Sequence, residues 1–190
     1  MGRTMTSAIF ALARRLNVPL ARFARERRGI AAIEFAMLLP MMMTLYLGSV
    51  EITTAVAAQR KVTLTAHALA DLASRFTSIA NSDMSNILNA STDIMAPYAA
   101  ANVQVVVSEL SVNAAGQATV VWSDTLNGTA RPAGQIVTIP ASLAVPNTYL
   151  ILGEASYSYN PTYGYVLTGT MTLSDQNYVM PRLSASVART

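Results

Sequence analysis

The chain has no cysteine among its 190 residues, which excludes disulfides, thiol chemistry and cysteine-ligated metal sites. Charged residues make up only 12% of it, against roughly 25% in an average soluble domain. The glycine-rich phosphate-binding motifs, the H-E-x-x-H zinc motif and the G-x-S-x-G nucleophile motif are also missing. We therefore expect a protein that is not an enzyme and that binds no metal and no cofactor.

Acidic residues are scarce at the start of the chain. Residues 1–28 hold seven arginines and one glutamate, a net charge of +6, whereas residues 29–190 hold six basic and nine acidic residues, a net charge of −3. A nucleic-acid-binding protein would carry its basic residues on the folded domain, so we expect no nucleic acid partner. An arginine-rich, acid-poor start also fits a mitochondrial transit peptide, and that alternative stays open.

A long apolar run follows the arginines. Residues 30–50 contain a single charged side chain, that of Glu34. As a helix this run is roughly 31 Å long, about the thickness of the hydrocarbon core of a bilayer. It predicts a transmembrane helix, and the arginines before it place its start in the cytoplasm. A glutamate inside such a span costs roughly 2.5–3.5 kcal/mol, so Glu34 is a candidate functional residue that needs a partner.

The residues around Glu34 also resemble a known family. Gly29 is followed by four small or apolar residues, then by Glu34, Phe35 and the apolar helix, as in a type IV prepilin processing site. The fuller string RRGIAAIEFAMLLPMMMTLYLG resembles the TadE-like minor pseudopilins of the bacterial tight-adherence (Tad/Flp) type IV pilus. The tyrosine-rich string TYLILGEASYSYNPTYGYVLTGTMTLS is similar to a later part of such proteins.

The resemblance implies a role for each of four residues. A prepilin peptidase would cleave between Gly29 and Ile30, and Glu34 and Phe35 would serve recognition and assembly. Glu34 would pair with the free amine of a neighbouring subunit, and both charges would be stabilised in a low dielectric. Two simpler interpretations stay open: Gly29 as a helix-entry glycine, and Glu34 as a solitary carboxylate near the interface.

The partners implied by the resemblance are a prepilin peptidase, other pseudopilins, the major pilin and the pilus platform. The implied location is the bacterial inner membrane, crossed once, with the later part of the chain in the periplasm; entry into the filament is left open. A membrane-anchored envelope binding domain that keeps its anchor is the alternative function. A membrane-anchored hydrolase is less favoured, because no catalytic constellation supports it.

The predicted fold is α+β and pilin-like. It consists of a leader at 1–29, a transmembrane helix at 30–51, an amphipathic continuation with a short second helix at 52–100, and a β-rich domain at 101–190. Apolar residues recur at three- and four-residue steps from Val62 to Ala80, with no proline or glycine between Glu51 and Asn81. This pattern predicts one helix over residues 30–80. A membrane anchor joined to a separate helix near Glu51 is the alternative.

A short helix is expected over residues 84–95, and the segments that follow it have the composition of strands. They are predicted to form a small, mainly antiparallel sheet. Two β-rich runs are joined by a turn at residues 113–116; the first contains Val103, Val105 and Val107, and the second Ala118, Val120 and Trp122. Further runs cover residues 136–139, 148–159 and 163–173.

Two groups of side chains have competing interpretations. His67, the only histidine, stands four residues before Asp71, which favours a surface pair over a catalytic dyad. Tyrosines recur at alternate positions in the last strands, which favours packing on one sheet face over a binding stripe. These tyrosines are Tyr157, Tyr159, Tyr163 and Tyr165.

Overall fold

The computed structural model describes residues 28–161, 163–164 and 167–190. The predicted leader at 1–29 therefore lies outside the described residues except for its last two positions. The described chain divides into two compact units, with the boundary between Leu47 and Gly48. We call the second unit, residues 48–190, the folded domain.

A single helix, α1, runs from Arg28 to Ser74 and includes Pro40. A separate helix beginning near Glu51 is therefore wrong. The predicted end at residue 80 is also wrong, because the helix stops six residues earlier. The amides of Arg75 and Phe76 donate to carbonyls three residues back, a tightening typical of a helix end. The apolar periodicity continues past Ser74, but residues 75–77 form a turn and Ser78–Ile79 form a strand.

The second helix, α2, runs from Asn81 to Met95, three residues longer at its start than predicted. The carboxylate of Asp83 accepts a hydrogen bond from the amide of Ala80 (3.2 Å), and the amide of Met84 donates to the carbonyl of Ala80. An acidic side chain in the first turn also favours the helix dipole. Asn81 and Ser82 are thus the first helical residues, whereas the sequence placed them before the helix.

The strands of the described residues are β1 (Ser78–Ile79), β2 (Val103–Val112), β3 (Ala118–Leu126), β4 (Ile136–Val137), β5 (Thr148–Tyr159), β6 (Met171–Val179) and β7 (Ala188–Arg189). Five of them form the main antiparallel sheet in the order β4-β3-β2-β5-β6, so the predicted α+β class is confirmed. A separate two-stranded parallel sheet joins β1 and β7.

The last long strand does not lie where the sequence predicted it. The expected run at 163–173 is wrong, because β6 begins at Met171, opposite Tyr159. Gly164 and Gly169 lie between the strands with φ of +67° and +83°. Such values are left-handed and interrupt a strand. β4 is also two residues shorter than expected, and β1 and β7 were not predicted.

The sheet has a hydrophobic core on each face. On one face, small side chains of α1 pack closely on β5: a Cβ added at Gly153 would lie 2.5 Å from the carbonyl oxygen of Ala66. On the other face, Val137 is buried with Leu110 and Leu150, and Ile139 and Leu143 pack against them. The buried α1 residues of the first core are Ala58, Val62, Ala66, Leu69, Ala70 and Ala73.

Candidate functional site

The predicted processing site lies in the first turn of α1. The helix begins at Arg28, so Gly29 and Ile30 are already helical. A Cβ added at Gly29 would meet no atom within 4 Å. Packing among the described residues therefore does not require a glycine at this position. The amides of a first turn also have no partner within the helix, so this turn opens at low cost.

Glu34 and Phe35 are both exposed, one turn beyond the processing site. Ile30 and Glu34 are four residues apart and share one face of the helix, with a rise of about 6 Å between them. No described residue forms a hydrogen bond or an ion pair with the Glu34 carboxylate. A carboxylate in this position can act as an acceptor for a cation that comes from outside the described chain.

The helix around Glu34 presents apolar side chains on all sides. Every residue from 29 to 46 is exposed, including Phe35 at 60% and Met37 at 77%. A helix that is apolar all round is normally buried in a protein core or in lipid. Thr44, the one threonine of residues 29–46, donates its hydroxyl to the carbonyl of Pro40 (2.9 Å). By length and composition this helix is compatible with a membrane anchor.

This segment also has a counterpart among known proteins. Residues 29–71 match the model of the TadE-like protein family. The predicted resemblance is confirmed over this segment. Comparisons with curated proteins and with solved structures found no match. The TadE-like segment contains all four predicted site residues and ends at Asp71, three residues before the end of α1. Residues 72–190, most of the folded domain, are not covered by the match.

Two buried carboxylates of the folded domain were missed by the sequence analysis. Glu51 is 1% exposed and accepts a hydrogen bond from the amide of Leu167 (3.1 Å). Glu109 is 2% exposed and accepts one from the amide of Val187 (2.6 Å). Burial raises the pKa of Glu109 above its usual value, and the bond from Val187 offsets part of that rise. The alternation along β2 could have revealed Glu109, since it shares the parity of buried Val105 and Val107.

The two described tyrosines at the end of β5 are packing residues. Tyr157 and Tyr159 are 6% and 5% exposed. The Tyr157 ring packs edge-on against Tyr98 at 5.6 Å, and the Tyr159 hydroxyl lies 2.8 Å from that of Thr54. Tyr163 is exposed, and Tyr165 lies outside the described residues. The binding stripe is therefore not formed by Tyr157 and Tyr159.

The predicted pair between His67 and Asp71 is wrong. The Asp71 carboxylate forms ion pairs with Arg75 and Arg182, both at 2.5 Å. Arginine offers a fork of donors, and Arg75, at i+4, donates two hydrogen bonds to the Asp71 carboxylate. His67 is exposed.

Proposed function

We propose that this chain is a minor pseudopilin that acts in the assembly or initiation of a Tad/Flp type IV pilus. It acts without catalysis and is cleaved between Gly29 and Ile30 by a prepilin peptidase. The observation that carries the proposal is Glu34, a carboxylate without a described partner on an exposed apolar helix inside the TadE-like segment.

Glu34 would receive the amine that cleavage creates on a neighbouring subunit. In lipid, an isolated carboxylate and an isolated ammonium each carry a large desolvation penalty. Bringing them together reduces both penalties, and their attraction is strong in a low dielectric. The pairing therefore favours association of processed subunits over unprocessed ones, which still carry residues 1–29.

The setting of Gly29 supports cleavage at this position. A peptidase must reach the backbone, and Gly29 presents no side chain on the first turn of α1. The arginines of residues 1–28 would hold that side of the membrane in the cytoplasm. The folded domain would then lie in the periplasm, anchored once in the inner membrane. Its partners would be the peptidase, the pilus platform, other pseudopilins and the major pilin.

The mass of the intact protein purified from its native membrane tests this proposal. We expect the wild type to lack residues 1–29 and Gly29→Val to retain them, because the valine side chain blocks approach to the scissile bond. Ala36→Val places the same valine side chain elsewhere on the same exposed helix and should be cleaved normally. Cleavage of Gly29→Val at the same bond would refute the site. A wild type that keeps residues 1–29 beside an active peptidase would favour the uncleaved envelope anchor.

A further inference from the structure

Residues 182–190 lie along the folded domain and are held there at several points. The Arg182 amide donates to the Ser74 carbonyl (2.9 Å), and its guanidinium pairs with Asp71. Beyond it, residues 187–190 enter a groove made by β1, β2, β3 and the start of α2. We call this groove the clamp and define it by Ile79, Asn81, Glu109, Trp122 and Asp124.

The clamp binds the backbone of this segment as a peptide. The Val187 amide donates to the Glu109 carboxylate (2.6 Å), and the Val187 carbonyl accepts from the Trp122 indole (2.8 Å). Farther along, β7 pairs in parallel with β1, with the Thr190 amide donating to the Ile79 carbonyl (3.1 Å). Adding a strand to a short exposed strand is a common way for proteins to bind extended peptides.

Two side chains of the segment give the clamp its selectivity. Val187 is fully buried in the core. The Arg189 guanidinium donates to both carboxylate oxygens of Asp124 (2.8 and 3.3 Å), to the Asn81 side chain (2.7 Å) and to the Ile79 carbonyl (3.0 Å). The clamp therefore recognises an extended segment in which a small aliphatic residue is followed two positions later by arginine.

An empty clamp would be costly to the domain. Release of the segment would leave the Glu109 carboxylate, which is 2% exposed, without the amide that Val187 supplies. The main sheet would nevertheless keep its pairing, because β1 and β7 form a sheet of their own. The domain is therefore more stable with a peptide segment in the clamp than without one. The five-stranded sheet would be the same whether that segment came from the same chain or from another molecule.

We propose that the clamp is a peptide-binding site and that residues 187–190 of a second copy of this chain can replace the resident segment. A second copy offers the same Val-x-Arg pattern. Copies held in one membrane also meet at a high effective concentration. This exchange would join folded domains without any contribution from Glu34, and only the argument from a shared membrane rests on the proposed function.

A labelled peptide with the sequence of residues 182–190 tests the binding site on the full chain. Arg189→Glu loosens the resident segment, because the new carboxylate faces that of Asp124 and the two like charges repel each other. The residues of the clamp itself are unchanged in this variant. We expect the peptide to bind this variant at least about tenfold more tightly than the wild type, measured by fluorescence anisotropy, because the peptide restores the lost charge pair. Asp124→Arg, whose clamp repels the peptide, should bind it no better than the wild type.

Equal binding by the two variants, or no binding to an Arg189→Glu chain with a wild-type circular dichroism spectrum, would overturn the binding site. If Arg189→Glu does not fold, Arg189→Gln takes its place in the same series, with the same outcomes. Co-purification of differently tagged full chains tests the second copy. Arg189→Glu has a free clamp and Asp124→Arg has a free segment, so together they should co-purify several-fold more than either variant with itself. Equal recovery would overturn the exchange between copies.

Discussion

Glu34 and Glu109 are carboxylates in apolar surroundings, but their settings differ. Glu109 lies in the folded domain, 2% exposed, and is bound by the amide of Val187, 78 positions along the chain. Glu34 lies on the exposed apolar part of α1, where no described residue pairs with it. Every buried polar side-chain atom in the described structure has a partner. The buried polar groups of the folded domain thus find partners within the domain, whereas Glu34 on the apolar helix has no described partner.

The two parts of α1 also differ, in the exposure and in the size of their side chains. From residue 29 to residue 46 every side chain is exposed, and the large ones are nearly all apolar. Within the folded domain, the buried face of α1 consists largely of alanine and lies close against β5 at Gly153. Small residues permit close helix-to-sheet approach, whereas large apolar ones suit a fluid apolar solvent. The two parts of this helix therefore differ both in exposure and in side-chain size.

The largest effect, on pilus formation, is expected from Glu34→Gln. This substitution removes the carboxylate that has no described partner. Removing one partner of a buried ion pair costs about 3–5 kcal/mol. We therefore expect normal cleavage but few or no pili, scored by electron microscopy and intact mass in the same cells. Glu34→Asp should be partly defective because its carboxylate reaches less far.

Thr44→Val is the matched control for Glu34→Gln, since it removes a polar group of the same helix that is already bonded within it. It should leave pili unchanged. Normal pili with Glu34→Gln would show that the carboxylate is not an assembly contact. Loss of cleavage together with pili would instead assign Glu34 to recognition by the peptidase.

Gly153→Ala should give the largest loss of stability in the folded domain. The added methyl would lie 2.5 Å from the Ala66 carbonyl oxygen and 2.9 Å from the Ala70 amide nitrogen, and backbone atoms cannot move aside separately. Overpacking commonly costs 1–3 kcal/mol, so we expect about 3 kcal/mol or more here, measured by chemical denaturation in detergent. Ala36→Leu adds more volume to the exposed helix and should leave that value unchanged. A similar loss in both variants would mean that the two parts of α1 are equally packed.

Glu109→Gln is expected to have a smaller effect that depends on pH. Burial raises the pKa of Glu109 above 4.5, so the folded state binds this proton more tightly than the unfolded state does. Its contribution to stability is therefore full below the unfolded pKa and is lost as pH rises through the folded pKa. Glutamine does not ionise and escapes this loss. The free energy of unfolding of the variant, relative to the wild type, should rise with pH by about 1.4 kcal/mol per unit of pKa elevation.

Glu154→Gln provides the contrast for Glu109, because its carboxylate is paired with Arg131 by two hydrogen bonds of 2.9 and 2.6 Å. It should be less stable than the wild type at neutral pH, where the charge pair is lost. Parallel pH curves for Glu109→Gln and the wild type would contradict a raised pKa at Glu109.

The smallest effect is expected from Arg131→Met, which breaks the same pair from its other side. The two side chains are 29% and 22% exposed, so solvent screens part of their attraction. We expect a loss below about 1 kcal/mol that shrinks further in high salt. Thermal unfolding in low and high salt measures it. A loss as large as that of Gly153→Ala would show that this pair is part of the core of the domain.

Local pattern was enough to predict several elements. The turn at residues 113–116 joins β2 to β3 as expected, because Asn113 bonds its own turn and Gly116 adopts a φ of +78°. β5 matches its predicted run at 148–159. The apolar run from 30 to 50 and the solitary Glu34 are properties of composition and need no partner to be recognised. Glu34 could be selected from sequence for that reason, whereas Gly29, Ile30 and Phe35 were selected by the resemblance to a prepilin processing site.

The sequence by itself determined the apolar helix, the placement of Glu34 in it and the alternation of β2 and β5. Each depends on residues a few positions apart, whose periodicity follows from backbone geometry. Only the tertiary structure decided where α1 ends, where β6 begins and what binds Glu109 and Asp71. Those choices depend on pairings across long separations, such as Ser78 with Ala188 and Glu109 with Val187. Local propensity carries no information about a distant partner, and the free energy of that pairing overrides it.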